Sequence, residues 1–364
     1  MNFFDVFVSE ESKRLVSECL DTGWISEGQR VKQFEELLLK RGFNNPVTVN
    51  SGTAALHLAL AVAGVGKGDE VIIPSQTFVA TGLAVLMTGA RPVFADVDLK
   101  TGNILPNSVL RLITQQTKAI IPVHWGGYPC EMDELGTIAD GNNLFILEDA
   151  AHALGALYKG RPIGSLSRFT AFSFQAIKHC TTGDGGAVCC QRVDDARKAR
   201  TLRWFGIDRE KSEPSILGER SFDIDFLGYK YHMNDIAASI GIGNIQSFTE
   251  RLKKHREIGK FYRAELNGIP GVTLFECRNE EEHTFWFFSF LIESRNDFIR
   301  MMTEKEIPVS VVHQGIHKYS IFDDCKKDLD NQKIFDGKHI AIPIHSKLTI
   351  DDVDMIIEAI KTGW

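Results

Sequence analysis

RFTAFSFQAIKHCTTGDGGAVCC, residues 168–190, holds a strand-length apolar run, a loop with a lysine, a glycine-rich turn and a second apolar run. The first run, 169–174, carries the hydroxyl of Ser173 near its end. Lys178 follows in the loop, and TTGDGG leads into the second run, 186–190. A lysine between Ile177 and a glycine-rich turn reads in two ways. It is a solvated loop residue, or it is a nucleophilic amine held beside a phosphate or carbonyl and made reactive by desolvation and nearby cations.

Working outward, strand-length apolar runs recur at 70–74, 92–96, 118–124 and 144–149, most of them separated by helical patterns such as 133–140. Runs apolar on both faces and alternating with helices predict an α/β fold with a mostly parallel central sheet covered on both sides. Several runs end in polar residues, His124, Asp149 and Ser173. Ligands of open α/β sheets bind at the carboxyl ends of strands, so these residues mark the candidate site. Upstream, 30–40 has the spacing of an amphipathic helix, and the Ala- and Leu-rich 53–63 that of a buried one.

The pattern changes after about residue 235. The segment 235–266 reads as one long or kinked helix, and 283–293, HTFWFFSFLIE, as an aromatic strand. Helices at 296–304 and 352–361 flank a short strand near 309–312. The chain therefore divides into a large domain, 1–249, and a smaller C-terminal α+β domain, 250–364. Composition narrows the function. The 364 residues carry 41 basic and 48 acidic side chains, a net charge of −7, which gives no help in binding nucleic acid or an anionic membrane. Seven cysteines without a CxxC pair argue against a disulfide framework or structural zinc site. The N-terminus lacks a signal-peptide pattern and no run of 18 apolar residues occurs, so the expectation is a soluble cytoplasmic protein.

Two further segments carry polar groups where chemistry is possible. In VNSGTAALHLAL, 49–60, Ser51, Gly52 and Thr53 precede the buried helix. Such a start is an ordinary helix cap or a phosphate cradle of free amides and a hydroxyl. In ILEDAAHALGA, 146–156, Glu148 and Asp149 close an apolar strand and His152 follows. A carboxylate there needs a cation or donor partner. The three could suggest a metal site, but no second spaced cluster completes one, so no metal is expected.

NSGTAALHLAL, VIIPSQTFVATGLAVLMTGARPVFADVD, IIPVHWGGYPCEMDEL, ILEDAAHALGA, FSFQAIKHCTTGDGG and LGYKYHMNDIAASIG together cover most of residues 20–245. In that order they resemble the DegT/DnrJ/EryC1/StrS family, sugar aminotransferases that use pyridoxal phosphate on the type I aspartate aminotransferase fold. The resemblance implies that Lys178 is the Schiff-base lysine and moves a proton during transfer. It puts Asp149 against the pyridine nitrogen, His152 near the ring's phenolic oxygen and Phe78 on the ring face. Gly52, Thr53 and Ser173 are implied at the phosphate. Where many relatives read GYNYRM this chain reads GYKYHM, with Lys230 and His232 at the departures. The family's asparagine reaches the partner subunit's phosphate, so Lys230 implies a homodimer with shared active sites.

Relatives with histidine in place of the catalytic lysine are dehydratases; the retained Lys178 favours transamination. The implied cycle takes the amine of L-glutamate, leaving 2-oxoglutarate and pyridoxamine phosphate, and delivers it to a nucleotide-linked keto-sugar. A 4-keto-6-deoxy sugar for O-antigen, lipopolysaccharide or capsule is the leading substrate. SFQAIKHCTTGDGG resembles the perosamine-synthase-like branch, which favours GDP. It also resembles 8-amino-octulosonate aminotransferases, and C3-specific enzymes share nearly every cofactor residue. A non-catalytic regulatory homologue predicts a damaged cofactor set, which Lys178, Asp149 and Ser173 do not display. A lyase or desulfurase of the same fold lacks its cysteine-bearing loop here. By the same resemblance, Trp24 and Ser26 of GWISEGQ (23–29) and His313, His317, Lys318 and Tyr319 of VVHQGIHKYS (311–320) are substrate candidates. Arg203 and Arg209 are possible anion binders, and Trp125 a residue bordering the cleft.

Overall fold

The computed structural model describes residues 1–209, 211–278, 280–325 and 329–364. Its centre is a seven-stranded sheet. The first five strands in chain order are β1 (Pro46–Val49), β2 (Glu70–Pro74), β3 (Arg91–Ala95), β4 (Thr117–Ile120) and β5 (Phe145–Asp149); Phe169–Ser173 and Gly186–Cys190 complete it. From one edge the spatial order is β3, β2, β4, β5, Phe169–Ser173, Gly186–Cys190, β1. Gly186–Cys190 is antiparallel to both of its neighbours, and the other pairs are parallel.

Both faces are buried, as the unbroken apolar runs require. Val71 and Ile73 enter one core with Phe94, Leu147 and Ala171, while Ile72 enters the other with Val93, Ala95 and Ile146. The helices α1 (Glu10–Thr22), α2 (Gln29–Lys40), α3 (Gly52–Ala63) and α4 (Val79–Met87) open the chain. Val31, Phe34 and Leu38 of α2 cover one face, and α3 and α4 cover the other. α3 is apolar almost all round: Leu56, Leu58 and Leu60 are all fully buried or nearly so. Each such leucine contributes roughly 1.5–3 kcal/mol by leaving water. The oxygen of Ser51 caps its first turn by accepting from the Ala54 amide (3.0 Å). Gly64, at φ +78°, ends it in the left-handed conformation.

The stretch expected as one long or kinked helix is two helices, Asp235–Gln246 and Phe248–Leu266, meeting at Ser247. Beyond them a three-stranded antiparallel sheet forms from Val272–Leu274, Phe288–Ile292 and His339–Ile342, with Phe288–Ile292 in the middle. The aromatic strand is shorter than its apolar run: Phe285 takes φ +47°, so His283–Phe287 leaves the ladder before Phe288. The expected strand near 309–312 reduces to a single bridge from Ser310 to Ala341. Val312, at φ +58°, turns the chain away from the sheet.

Candidate active site

The carboxyl ends of β4, β5 and Phe169–Ser173 open on one side of the sheet. Asp149 lies opposite Ala171, and Ser173, two residues on, lies opposite Gly186. Asp149 is buried. One carboxylate oxygen accepts from the hydroxyl of Thr81 (2.7 Å) in α4, the other from the Ala151 amide (3.2 Å). Burial raises its pKa, and the Thr81 and Ala151 bonds pull it back. The neighbouring Glu148 alternates to the opposite face of the strand. It accepts from Thr170 (3.0 Å) and from His124 Nε2 (2.9 Å). His124 Nδ1 accepts from the Cys130 amide (3.0 Å), so the ring proton sits on Nε2 and points at Glu148. The two carboxylates thus part: Glu148 locks the sheet, and Asp149 faces the site.

Lys178 is partly buried, and its Nζ lies 3.6 Å from the centroid of the Trp286 ring. Desolvation pushes its ammonium down to about 7, against the opposing pull of Asp149. A lysine with that pKa is roughly half neutral amine at pH 7 and can act as a nucleophile. His152 stacks on Trp286 with ring centroids 3.8 Å apart and an angle of 16°. Burial and then the Lys178 charge hold the His152 pKa well below the ordinary histidine value. Its buried Nδ1 has no hydrogen-bond partner among the described residues. The carbonyl of His152 accepts from Thr284 (2.7 Å), which fixes its backbone.

Ser173 and the start of α3 form a cradle. A side chain on Gly52 would meet Ser173 Cβ at 2.9 Å and its hydroxyl at 3.2 Å. In α3 the Ala54 and Ala55 amides are satisfied by Ser51. The amides of Gly52 and Thr53 have no acceptor among the described hydrogen bonds. Free amides at a helix N-terminus with a nearby hydroxyl suit a phosphate. The orphaned His152 Nδ1, the cradle, the partly buried Lys178 and the buried Asp149 fit the groups of pyridoxal phosphate.

The C-terminal part adds His313. Its ring lies 4.9 Å from Phe78 and 6.0 Å from Trp125, and its carbonyl accepts from Gln76 Nε2 (3.0 Å). Burial, then Lys178, pushes its pKa down to about 4. Phe78 itself is half exposed at the start of α4. Trp125 is fully buried, its ring 5.7 Å from His152, in the wall of this group.

The other sequence candidates make contacts of their own. His317 hydrogen-bonds Ser75 through Nδ1. Lys318 pairs with Asp336 at 2.6 Å, and Tyr319 is exposed beside it in the chain. Trp24 is exposed, its indole donating to the Glu27 carbonyl (3.3 Å), and the Ser26 carbonyl accepts from the Asp235 amide (2.9 Å). Arg203 is buried between Glu27 (2.6 Å) and Glu35 (2.7 Å), and Arg209 covers the Trp204 ring (4.8 Å) while pairing with Glu27. Lys230 is exposed, its carbonyl accepting from Asn50 Nδ2 (3.3 Å). Thr81 and Trp286, which sequence reasoning passed over, touch Asp149 and Lys178 directly. Trp286 was disguised as one more core residue of an aromatic strand.

A lysine, a buried carboxylate and an anion cradle at the strand ends of this mixed sheet define a pyridoxal-phosphate enzyme of the type I fold. The chain belongs to the DegT/DnrJ/EryC1/StrS aminotransferase family, whose model matches residues 7–361. The sugar aminotransferase CalS13 of Micromonospora echinospora superposes with a TM-score of 0.96 at 33% identity, all of both chains covered. The spore coat polysaccharide biosynthesis protein SpsC of Bacillus subtilis is 35% identical over 97% of this chain and 94% of its own. The GDP-perosamine synthase of Caulobacter vibrioides is 34% identical over 95% and 93%. No helix among the described residues is long and apolar enough to cross a membrane.

Proposed function

We propose that this chain moves the amino group of L-glutamate, through bound pyridoxal and pyridoxamine phosphate, to a nucleotide-linked 4-keto-6-deoxy sugar. The product is an amino sugar for a surface polysaccharide, and GDP is the favoured nucleotide. The observation that carries the transaminase reading is the set of Lys178, Asp149, His152, Ser173 and the α3 amides, with Lys178 acting on Asp149 and His152 and Ser173 packed against Gly52. The sugar class rests on what the relatives are called, CalS13 a sugar aminotransferase and the Caulobacter protein a GDP-perosamine synthase.

When bound, the cofactor supplies the electron sink that lets an amino group leave one carbon skeleton and join another. This chain's residues do the rest. Lys178 offers a neutral Nζ to the aldehyde carbon and, once displaced, carries a proton on that nitrogen between substrate and cofactor carbons. Asp149 holds a negative charge for the pyridine N–H, and Thr81 holds Asp149. His152 would lie near the ring's phenolic oxygen, Phe78 would stack on the ring face, and Gly52, Thr53 and Ser173 would hold the phosphate. Trp24, Ser26, His313, His317, Lys318 and Tyr319 remain the candidate substrate contacts. Of these His313, beside Phe78 and coupled to Lys178, has the strongest support.

The working unit in this reading is a homodimer in which Lys230 reaches the partner's phosphate. Its exposure supports this, as do Ile216, Leu217 and Leu227, apolar side chains at least four-fifths exposed on the preceding segment. The test supplies purified protein, pyridoxal phosphate and glutamate with a panel of GDP-, dTDP- and UDP-linked keto-sugars and an octulosonate, with mass detection. An amino sugar from the GDP 4-keto-6-deoxy substrate is the expected product. Turnover only of a 3-keto sugar or of the octulosonate would reassign the substrate, and no turnover with any acceptor would remove the sugar reading. Borohydride reduction of the loaded protein should label Lys178.

A further inference from the structure

Lys178 sits on an aromatic surface for which the reaction as described has no use. Its Nζ is 3.6 Å from the Trp286 ring centroid, inside the distance at which a cation is attracted to an indole face. Trp286 is itself held on several sides. Its indole N–H donates to the Ile177 carbonyl (2.9 Å), the residue just before the lysine. Its backbone amide donates to Gly126 (2.9 Å), and His152 stacks on it. Phe285, at φ +47°, turns the backbone immediately before it out of the sheet.

A second ring stacks on Trp286 from far along the chain. Phe4 lies 4.8 Å away at 24°, with Phe3 edge-on to Phe4 at 4.7 Å. The segment around Phe4 is pinned to the body. The Asn2 carbonyl accepts from His345 (3.1 Å), Asp5 pairs with Lys347 (2.7 Å), and Phe7 lies under the Arg251 guanidinium at 4.2 Å. The small cavity behind Lys178 is walled by Phe4, Asp5, Arg251, His255, Trp286 and His345.

We propose that Trp286 is a positioning residue for Lys178: its face seats the amine whenever that amine is not bonded to the cofactor, and Phe4 braces the seat. The proposal rests on the reading of Lys178 as the cofactor-bonding lysine. A transaminase needs such a seat, because the lysine is displaced in each half-reaction and must stay close enough to carry the proton. A flexible four-carbon chain in a partly dry cleft otherwise has many rotamers to explore. The charges around the amine leave the ring a distinct part. Asp149 is the carboxylate that acts on it, while His152, His179 and His313 all have depressed pKa values and are neutral near pH 7. His255 and His345, across the cavity, are depressed as well, so Asp5 and Arg251 are the charges there.

The test measures the pH midpoint at which Lys178 becomes modifiable by acetic anhydride in the full-length protein freed of cofactor, read by peptide mass spectrometry. Wild type should give a midpoint near 7. Trp286→Phe keeps an aromatic face and should stay close to that value. Trp286→Leu keeps an apolar body but no quadrupole, so the ammonium loses its seat and the midpoint should fall by roughly 0.5–1 unit. A purely structural tryptophan predicts the opposite sign: its loss lets water in and the midpoint climbs toward 10.5. A rise or no change in Trp286→Leu, with the variant folded by circular dichroism, overturns the seat. Indole emission gives a second readout, since a nearby ammonium quenches it. Wild type should brighten through the same midpoint, and Lys178→Met and Trp286→Phe should both lose that step. Phe4→Ala should shrink or shift the step, and Phe4→Tyr should restore it; an unaltered step in Phe4→Ala overturns the bracing. Borohydride labelling in the presence of pyridoxal phosphate separates the two layers. A label on another lysine defeats the cofactor reading, whereas a label on Lys178 with no midpoint shift in Trp286→Leu defeats only the seat.

Discussion

Replacing Lys178 by methionine should make the cofactor-free protein more stable at low pH, and the gain should fade as pH rises. The folded protein holds the ammonium near pKa 7, while the ordinary value is 10.5. Below about pH 7 both folded and unfolded chains carry the proton, and the folded state bears the whole penalty of a desolvated cation. Between 7 and 10.5 the unfolded chain keeps a proton that the folded chain has released, so wild-type stability rises with pH from this group. Above 10.5 neither state is charged and the penalty is gone. The gap sets a ceiling of roughly 5 kcal/mol at 1.36 kcal/mol per unit. Lys178 keeps some solvent contact, so an effect on the order of 2–3 kcal/mol is the working figure.

The assay is urea unfolding of both proteins at one fixed concentration, at pH 6, 7.5 and 9. The comparison has to be between variants. Burial raises the thiol pKa of Cys180 to about 11 and of Cys190 to about 12, so these groups destabilise the folded state as pH climbs, in the opposite sense. They are common to both proteins and cancel in the difference. The methionine variant should lead at pH 6 and lose roughly 1–2 kcal/mol of that lead by pH 9. A difference that stays flat across the three pH values would refute the desolvated amine and, with it, the account of why Lys178 is a ready nucleophile.

Asp149→Asn removes the counter-charge for the pyridine N–H, a charged hydrogen bond worth roughly 1.5–3 kcal/mol. Both half-reactions should slow by about one to two decades in rapid-mixing absorbance traces, with borohydride still labelling Lys178. Gly52→Ala puts a methyl group 2.9 Å from Ser173 Cβ, so cofactor affinity should fall about tenfold or more in equilibrium dialysis while the fold survives; unaltered affinity would take the phosphate away from this cradle. Mixing Lys178→Ala with Lys230→Ala subunits should bring each mixed dimer toward half of wild-type activity, roughly a quarter for a 1:1 mixture, because one site of each mixed dimer then carries neither lesion. Mixtures that stay as impaired as the parents would show that Lys230 acts within its own subunit.

The legible parts of this molecule were those where one physical pattern decides the outcome. Val71, Ile72 and Ile73 are buried in alternate cores of one sheet, and an unbroken apolar run is the signature of that burial. Asp149 and Ser173 stood out because a charge or hydroxyl at the end of such a run needs a partner, and Lys178 because it falls between Ile177 and a glycine-rich turn. Partners distant in sequence were not legible. Arg203 carries the same guanidinium whether it meets a substrate phosphate or, as here, Glu27 and Glu35 some 170 residues away. Lys318 reads in the sequence as a substrate candidate, and its ion pair with Asp336 appears only in the fold. Trp286 erred the other way. HTFWFFSFLIE has the composition of a core strand, and nothing in that composition marks Phe285 as the residue that leaves the ladder. The left-handed turn at Phe285 makes the difference between a tryptophan buried in a sheet and one lying against Lys178. Backbone strain of that kind is tolerated only where the surrounding packing imposes it. Here the packing comes from distant parts of the chain, with the ring of Phe285 lying where a side chain on Gly259 would fall and Phe4 stacked on Trp286. The first residues of the chain are thereby joined to Lys178 through one indole ring.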